Sequence, residues 1–202
     1  MINPRTTRSF GFLEEFLAKK RAQRANSLIP QSYRIGRILD VGCGIYPTFL
    51  LLTAFSEKYG IDKTYSALWQ TELKDRSLTL MNHDIEHEAP LPFHDEYFDT
   101  VTMLAVFEHI THQNLPRIFR ELNRVLKRGG ILVITTPAKW TGFILNGMAR
   151  LRLISSLEIK DHKGLYTADI IFTTLQHGGF SLENIKLGYF EFYMNTWVTA
   201  IK

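Results

Sequence analysis

Asp40, Asp62 and Asp84 stand at equal intervals of 22 residues, and each closes a short apolar run. The first lies in Asp40-Val41-Gly42-Cys43-Gly44, inside the stretch RILDVGCGIYPTFLL. Carboxylates accept hydrogen bonds from hydroxyls and amines, and glycines let backbone come close to a bound group. A strand that turns sharply into a helix through such residues is the usual cradle of a nucleotide. A single Asp there is an ordinary turn residue. Three at the ends of successive strands point to one ligand edge.

The elements that must hold these acids follow from the apolar pattern. RILDV, KYGI, LTLMN, YFDTVTMLAVF and ILVITTP read as strands. Between them PTFLLLTAF and YSALWQTELKD read as helices. The clearest helix carries Leu115, Ile118, Phe119, Leu122, Val125 and Leu126 on one stripe, and Gly129-Gly130 is expected to end it. Residues 9–28 predict a leading helix with Phe12, Leu13, Phe16 and Leu17 as its docked face, followed by basic residues. A helix over 167–177 precedes two strand-like runs, SLENIKLGYF and EFYMNTWVTAIK. The last two runs leave no room for a crossover, so they must pair antiparallel. Alternating strands and helices predict an α/β fold, a parallel sheet with helices on both faces.

Bulk composition excludes several classes. At 202 residues the chain suits one domain. A net charge of +4, scattered along the chain, is too small to argue nucleic-acid binding. Cys43 is the sole cysteine, so an internal disulfide is impossible. The longest mostly apolar run, residues 49–55, is far short of a membrane span, and MINPRTTRSF lacks a signal peptide's apolar region. A cytoplasmic location is expected from these absences.

A nicotinamide loop needs G-x-G-x-x-G, but here the frame ends on Pro47. A Walker loop needs Gly-Lys-Ser/Thr, which is lacking. S-adenosylmethionine (SAM) carries no phosphate and asks less of the loop. It needs room for its methionine end, a carboxylate for the ribose hydroxyls and an acceptor for the adenine amine.

The chain resembles the class I SAM-dependent methyltransferases, in the group called type 11. ILDVGCG, GIDKT and NHDIE resemble that family's first three motifs. LPFHDEYFDTVTMLAVFEHI, RELNRVLKRGGILVITTP and DHKGLYTADIIFTTLQHGGF resemble its later ones, so the likeness runs over residues 36–202. It implies a Rossmann-like, seven-stranded, mostly parallel sheet with one antiparallel strand near the C-terminus. It implies SAM as cofactor, with Asp62 at the ribose and Asp84 at the adenine. Asp40, Gly42, Cys43, Gly44, Tyr46, Lys63, Ile85, Leu104 and Ala105 complete the implied cofactor set. Tyr46 departs from the family, which often has a glycine there. It covers the methionine end or packs locally.

Methyl transfer is an in-line displacement, so the protein mainly aligns the reactants. A hydroxyl acceptor also needs a base. His109, in Glu108-His109 after the fourth strand, and His162 in DHKGLYT are the two candidates; pocket-shaping and capping are their respective alternatives. Related quinone-type enzymes carry a metal-linked Glu where this chain has Ala105, so no metal is expected. The Asn/Asp-Pro-Pro-aromatic motif of amino-nitrogen base methyltransferases is replaced by LAVF. No nucleic-acid acceptor is therefore expected.

Residues 1–36 are expected as a helical lead-in and 37–202 as the SAM-binding domain, with 138–166 as a substrate cap. Ile144, Leu145, Met148 and Leu151 give that cap an apolar face, and Lys139, Arg150 and Arg152 give it charge. The expected activity is methyl transfer from SAM (EC 2.1.1 class) to a small or medium-sized acceptor, most simply at oxygen. The acceptor is a metabolite, a glycan or a lipid-linked molecule. A SAM-binding module or partner subunit without turnover is the alternative.

Overall fold

The computed structural model describes residues 14–64, 77–138 and 166–202. The expected helix YSALWQTELKD, Phe12, Leu13, His162 and the expected cap lie outside the described residues, apart from the cap's ends at Ala138 and Tyr166.

Seven strands form one sheet in the order β3-β2-β1-β4-β5-β7-β6. They are β1 (Arg37–Val41), β2 (Glu57–Asp62), β3 (Leu78–Asn82), β4 (Phe98–Leu104), β5 (Leu126–Pro137), β6 (Ile185–Phe190) and β7 (Asn195–Ile201). Pairings from β3 through β5 are parallel. β7 slots between β5 and β6, antiparallel to both. The Rossmann-like architecture and its antiparallel strand are as the sequence leads one to expect.

Successive strand residues face opposite sides, so each central strand feeds two cores. Leu39 and Val41 of β1 join Ile61, Val101 and Met103 on one face. Ile38 joins Leu78, Leu80, Ile131 and Val133 on the other. The first face is covered by α3 (Leu115–Val125) and α4 (Ala168–His177), the second by α1 (Glu14–Leu28) and α2 (Thr48–Leu52). In α3, Leu115, Ile118, Phe119, Leu122 and Val125 are all fully buried, as their spacing requires. Thr167 caps α4 by accepting from the Ile170 N–H.

Three local expectations are corrected. First, α3 ends at Val125, not at Gly129-Gly130. Leu126 is already extended and pairs with Phe98, and the register of β4 and β5 then shifts between Phe98 and Thr100. Gly129 takes φ +73° inside that irregularity rather than at a helix end. The Lys202 ammonium meets the carbonyls of Asn123 and Leu126, so it closes the helix instead. Second, α1 docks through Ala22, Ala25 and the following Ile29, while Phe16 is 55% exposed. The small alanines let the helix lie close to the sheet, which a phenylalanine would prevent. Third, β4 stops at Leu104 because Ala105 turns to φ +56° and Phe107–His109 form a tight 3-10 turn.

Candidate functional site

The loop after β1 is tied to the end of β2. The N–H groups of Gly42 and Cys43 both donate to the Ile61 carbonyl, at 2.8 and 3.2 Å. The Gly44 N–H donates to Asp62 Oδ2 at 2.9 Å. Gly42 has φ +74°, and a Cβ there would stand 2.2 Å from Val106 Cγ2, so only glycine fits. Gly60, behind the loop, is packed against Leu80, Cys43 and Leu50 within 2.9 Å of where a Cβ would be.

Asp62 ends β2 and is buried. Its Oδ1 accepts from the backbone N–H of Thr64 at 2.8 Å and from the Thr64 hydroxyl. These bonds fix the carboxylate before any ligand arrives.

Asp84 follows β3. Its oxygens accept from the Glu86 N–H and lie 2.9 Å from His87 Nδ1. Burial pulls its pKa upward. The bonds from His87 and Glu86, with the charges of His87 and Lys63, outweigh that and hold it below the ordinary value. The turn is braced from α3 and from the segment just before it. Arg117 donates to the carbonyls of Ile85 and Glu86, and Glu86 Oε1 accepts from the Thr111 N–H at 2.8 Å and from Asn114.

Asp40 behaves differently. Its side chain is buried and accepts from the Thr102 hydroxyl at 2.6 Å. Burial pushes its pKa up to about 7; the Thr102 bond opposes the rise and the charge of Asp62 adds to it.

These turns line one cleft that is open to solvent. Of the expected residues, Gly42, Asp62, Lys63, Asp84, Ile85 and His109 line it. Asp40 and Cys43 do not line it: Asp40 is turned to Thr102, and Cys43 is buried in the second core with Sγ 3.7 Å from the Gly44 carbonyl. Gly44 secures the loop from beneath, and Tyr46 is half-buried ahead of α2. Leu104, which ends β4, and Ala105, which follows it, do not line the cleft; their neighbour Val106 does. Glu108 is buried and accepts from the Thr136 hydroxyl at 3.1 Å, which anchors the turn carrying His109 to β5. Tyr166 steadies the same turn by donating to the Ile110 carbonyl at 2.8 Å.

The sequence reading passed over His83, Glu86, Val106 and Ile110, all of which line the cleft. For the first two a signal existed: NHDIE holds four polar residues of five at the end of a strand, on the edge where ligands sit. Among the described residues, no group of three or more His, Cys, Asp or Glu is placed to hold a metal ion. No described helix is long and apolar enough to cross a membrane.

Comparison with known proteins bears on this edge directly. Residues 39–134, from β1 into β5, match the methyltransferase-domain family. An uncharacterized protein of Methanocaldococcus jannaschii is 32% identical over 102 residues, covering 50% of this chain and 41% of that protein. The tRNA N(3)-cytidine methyltransferase of Gallus gallus is 25% identical over 133 residues, covering 61% of this chain and 36% of that one. The matches thus span about two fifths of the length of these curated relatives. A SAM-dependent methyltransferase of Archaeoglobus fulgidus superposes with a TM-score of 0.69 at 19% identity. That superposition covers 95% of this chain and 98% of the other, and it establishes the fold.

Proposed function

We propose that this chain, a member of the class I SAM-dependent methyltransferases, binds SAM in the cleft beyond β1, β2 and β3 and transfers its methyl group to an acceptor oxygen. The observation that carries the reading is the joint placement of Asp62, Asp84 and the left-handed Gly42 loop around one cleft. The residues fit the cofactor. A Cβ at Gly42 would fill the cradle, and the walls supply acceptors for a diol and an amine. SAM has three parts in a row: methionine, ribose and adenine. The strand order β1-β2-β3 sets the glycine loop, Asp62 and Asp84 in that same row.

When bound, SAM supplies a methyl group already activated on a sulfonium. The chain's own task is alignment. Asp62 would take the ribose hydroxyls, Asp84 the adenine amine, and Lys63 and Ile85 would border them. His109 sits at the cleft on a turn anchored by Glu108 and Tyr166 and would accept the proton of an acceptor hydroxyl. His162 is the second candidate base. Residues 138–166, with the N-terminal helix, would cap a small or medium-sized acceptor, whether metabolite, glycan or lipid-linked molecule. The relative that acts on tRNA makes a nucleic-acid acceptor the competing choice.

Calorimetry with SAM, S-adenosylhomocysteine and NAD, followed by mass spectrometry of acceptor pools, tests the reading. Binding of the first two ligands and a methylated hydroxyl in a metabolite or glycan pool is the expected result. Product from a tRNA pool alone would move the acceptor to nucleic acid. Cofactor binding with no product from any pool would favour a non-catalytic module, and NAD binding in place of SAM would overturn the assignment.

A further inference from the structure

One buried ring nitrogen in the cleft has no partner among the described residues. His83, the residue after β3, is 8% exposed and lines the cleft beside Asp84. Its backbone N–H donates to the Asp62 carbonyl at 3.3 Å, which fixes where the ring starts. Its Nδ1 lies 3.1 Å from Glu88 Oε2. Its Nε2 is buried and meets no hydrogen-bond partner among the described residues. A buried polar atom left unmatched costs free energy, and native proteins rarely leave one so without a use. In a ligand cleft the missing partner is an atom of the ligand.

The neighbour decides what kind of atom. A carboxylate only accepts, so the Glu88 contact places the ring hydrogen on Nδ1. In the neutral ring Nε2 is then a bare acceptor, and it requires a donor. SAM offers donors at the ribose hydroxyls, the methionine ammonium and the adenine amine. Asp62 is at the ribose position, and the methionine end belongs to the loop after β1, two strands away. The amine is what remains beside Asp84. It carries two hydrogens, enough for both Asp84 and His83.

We infer that His83, oriented by Glu88, accepts the second hydrogen of the cofactor's 6-amino group and so makes the cleft selective for a 6-amino purine over a 6-oxo purine. The inference rests on the SAM reading above. A 6-oxo purine presents an oxygen at that place, and two acceptors then face each other across the contact. His83 is in this account a binding and specificity residue, remote from the transferred methyl.

The test compares S-adenosylhomocysteine with S-inosylhomocysteine by calorimetry on the wild-type protein and on His83→Leu. Wild type should favour the adenosyl ligand by tenfold or more, about 1.4 kcal/mol. His83→Leu should weaken the adenosyl ligand about tenfold and leave the inosyl ligand as tight or tighter. General loosening of the cleft would instead weaken both. An unchanged preference in His83→Leu, equal loss of both ligands, or equal affinity in wild type overturns the inference while leaving SAM binding intact. Failure of wild type to bind either ligand overturns the SAM reading itself. Should the variant not fold, nitrogen NMR of the wild-type ring decides. The His83 signals should show hydrogen on Nδ1, and Nε2 should move to its hydrogen-bonded position on adding S-adenosylhomocysteine. A protonated Nε2, or no response, refutes the inference.

Discussion

Asp40 is a carboxyl in the wrong place for a carboxylate, and replacing it with asparagine should show as much. Burial lifts its pKa from 3.8 to about 7, against the pull of its bond from Thr102. In the unfolded chain it ionises near its ordinary value. Between these two values the native state holds the proton more tightly than the unfolded state does, so stability falls as pH rises. The contribution is complete below pH 3.8 and is lost by about pH 7. A shift of about 3 units is worth at most about 4 kcal/mol, of which roughly 3 lies between pH 5 and 8. Asparagine keeps an acceptor for Thr102 and never ionises. Urea unfolding of wild type and Asp40→Asn across that range should therefore give curves that diverge. The variant should gain on wild type as pH rises, up to about 3 kcal/mol by pH 8. Parallel curves would refute the argument. The same variant tests the site. Asp40 is turned away from the cleft, so SAM affinity at pH 8 should change less than about threefold, under 0.7 kcal/mol. A tenfold loss would return Asp40 to the cofactor contacts that the sequence suggested.

Two further substitutions probe the cradle. Asp62→Ala should weaken SAM binding by about 1.5–3 kcal/mol in calorimetry, and because the Gly44 and Thr64 N–H groups lose their acceptor it should also lower the thermal midpoint. Unchanged affinity in a folded variant would mean that the ribose lies elsewhere. Gly42→Ala should cost about 1–3 kcal/mol of stability from left-handed strain and the clash with Val106, and should abolish measurable SAM binding. Adding Val106→Ala should restore part of the stability, since it removes the clash and leaves the strain.

The sequence made the sheet legible for a physical reason. Buried parallel strands are short apolar runs, and the residues that end them must be polar or glycine, because they meet water or ligand. RILDV and ILVITTP carry that pattern and are strands, while LTLMN, the edge strand, alternates buried and exposed. Boundaries failed where one residue suits two neighbours. Leu126 fits the α3 stripe and also the pairing with Phe98, and only the pairing, a long-range fact, decides between them. Phe16 looked like an anchor because it is large, yet the anchors are alanines, whose value lies in how near the sheet comes.

The acids show the same limit inside the site. Equal spacing put Asp40, Asp62 and Asp84 on one edge, but spacing says nothing about direction. Asp40 lies inside β1 beneath Thr102, Asp62 ends β2 and Asp84 stands two residues beyond β3. A carboxyl one residue inside a strand is walled by its neighbours and loses charge, while one beyond the end collects N–H donors from its own turn and keeps it. Two of the three thus line the cleft as acceptors, and the third is a buried post under the loop. His83 escaped notice for the converse reason. Its place after β3 marks it only as an edge residue; what singles out its ring is that Glu88 meets one nitrogen and, among the described residues, nothing meets the other. An unmet bond exists only once the neighbours are in place, so a strand-end rule brings His83 to the cleft edge but cannot tell which ring nitrogen is left for a ligand.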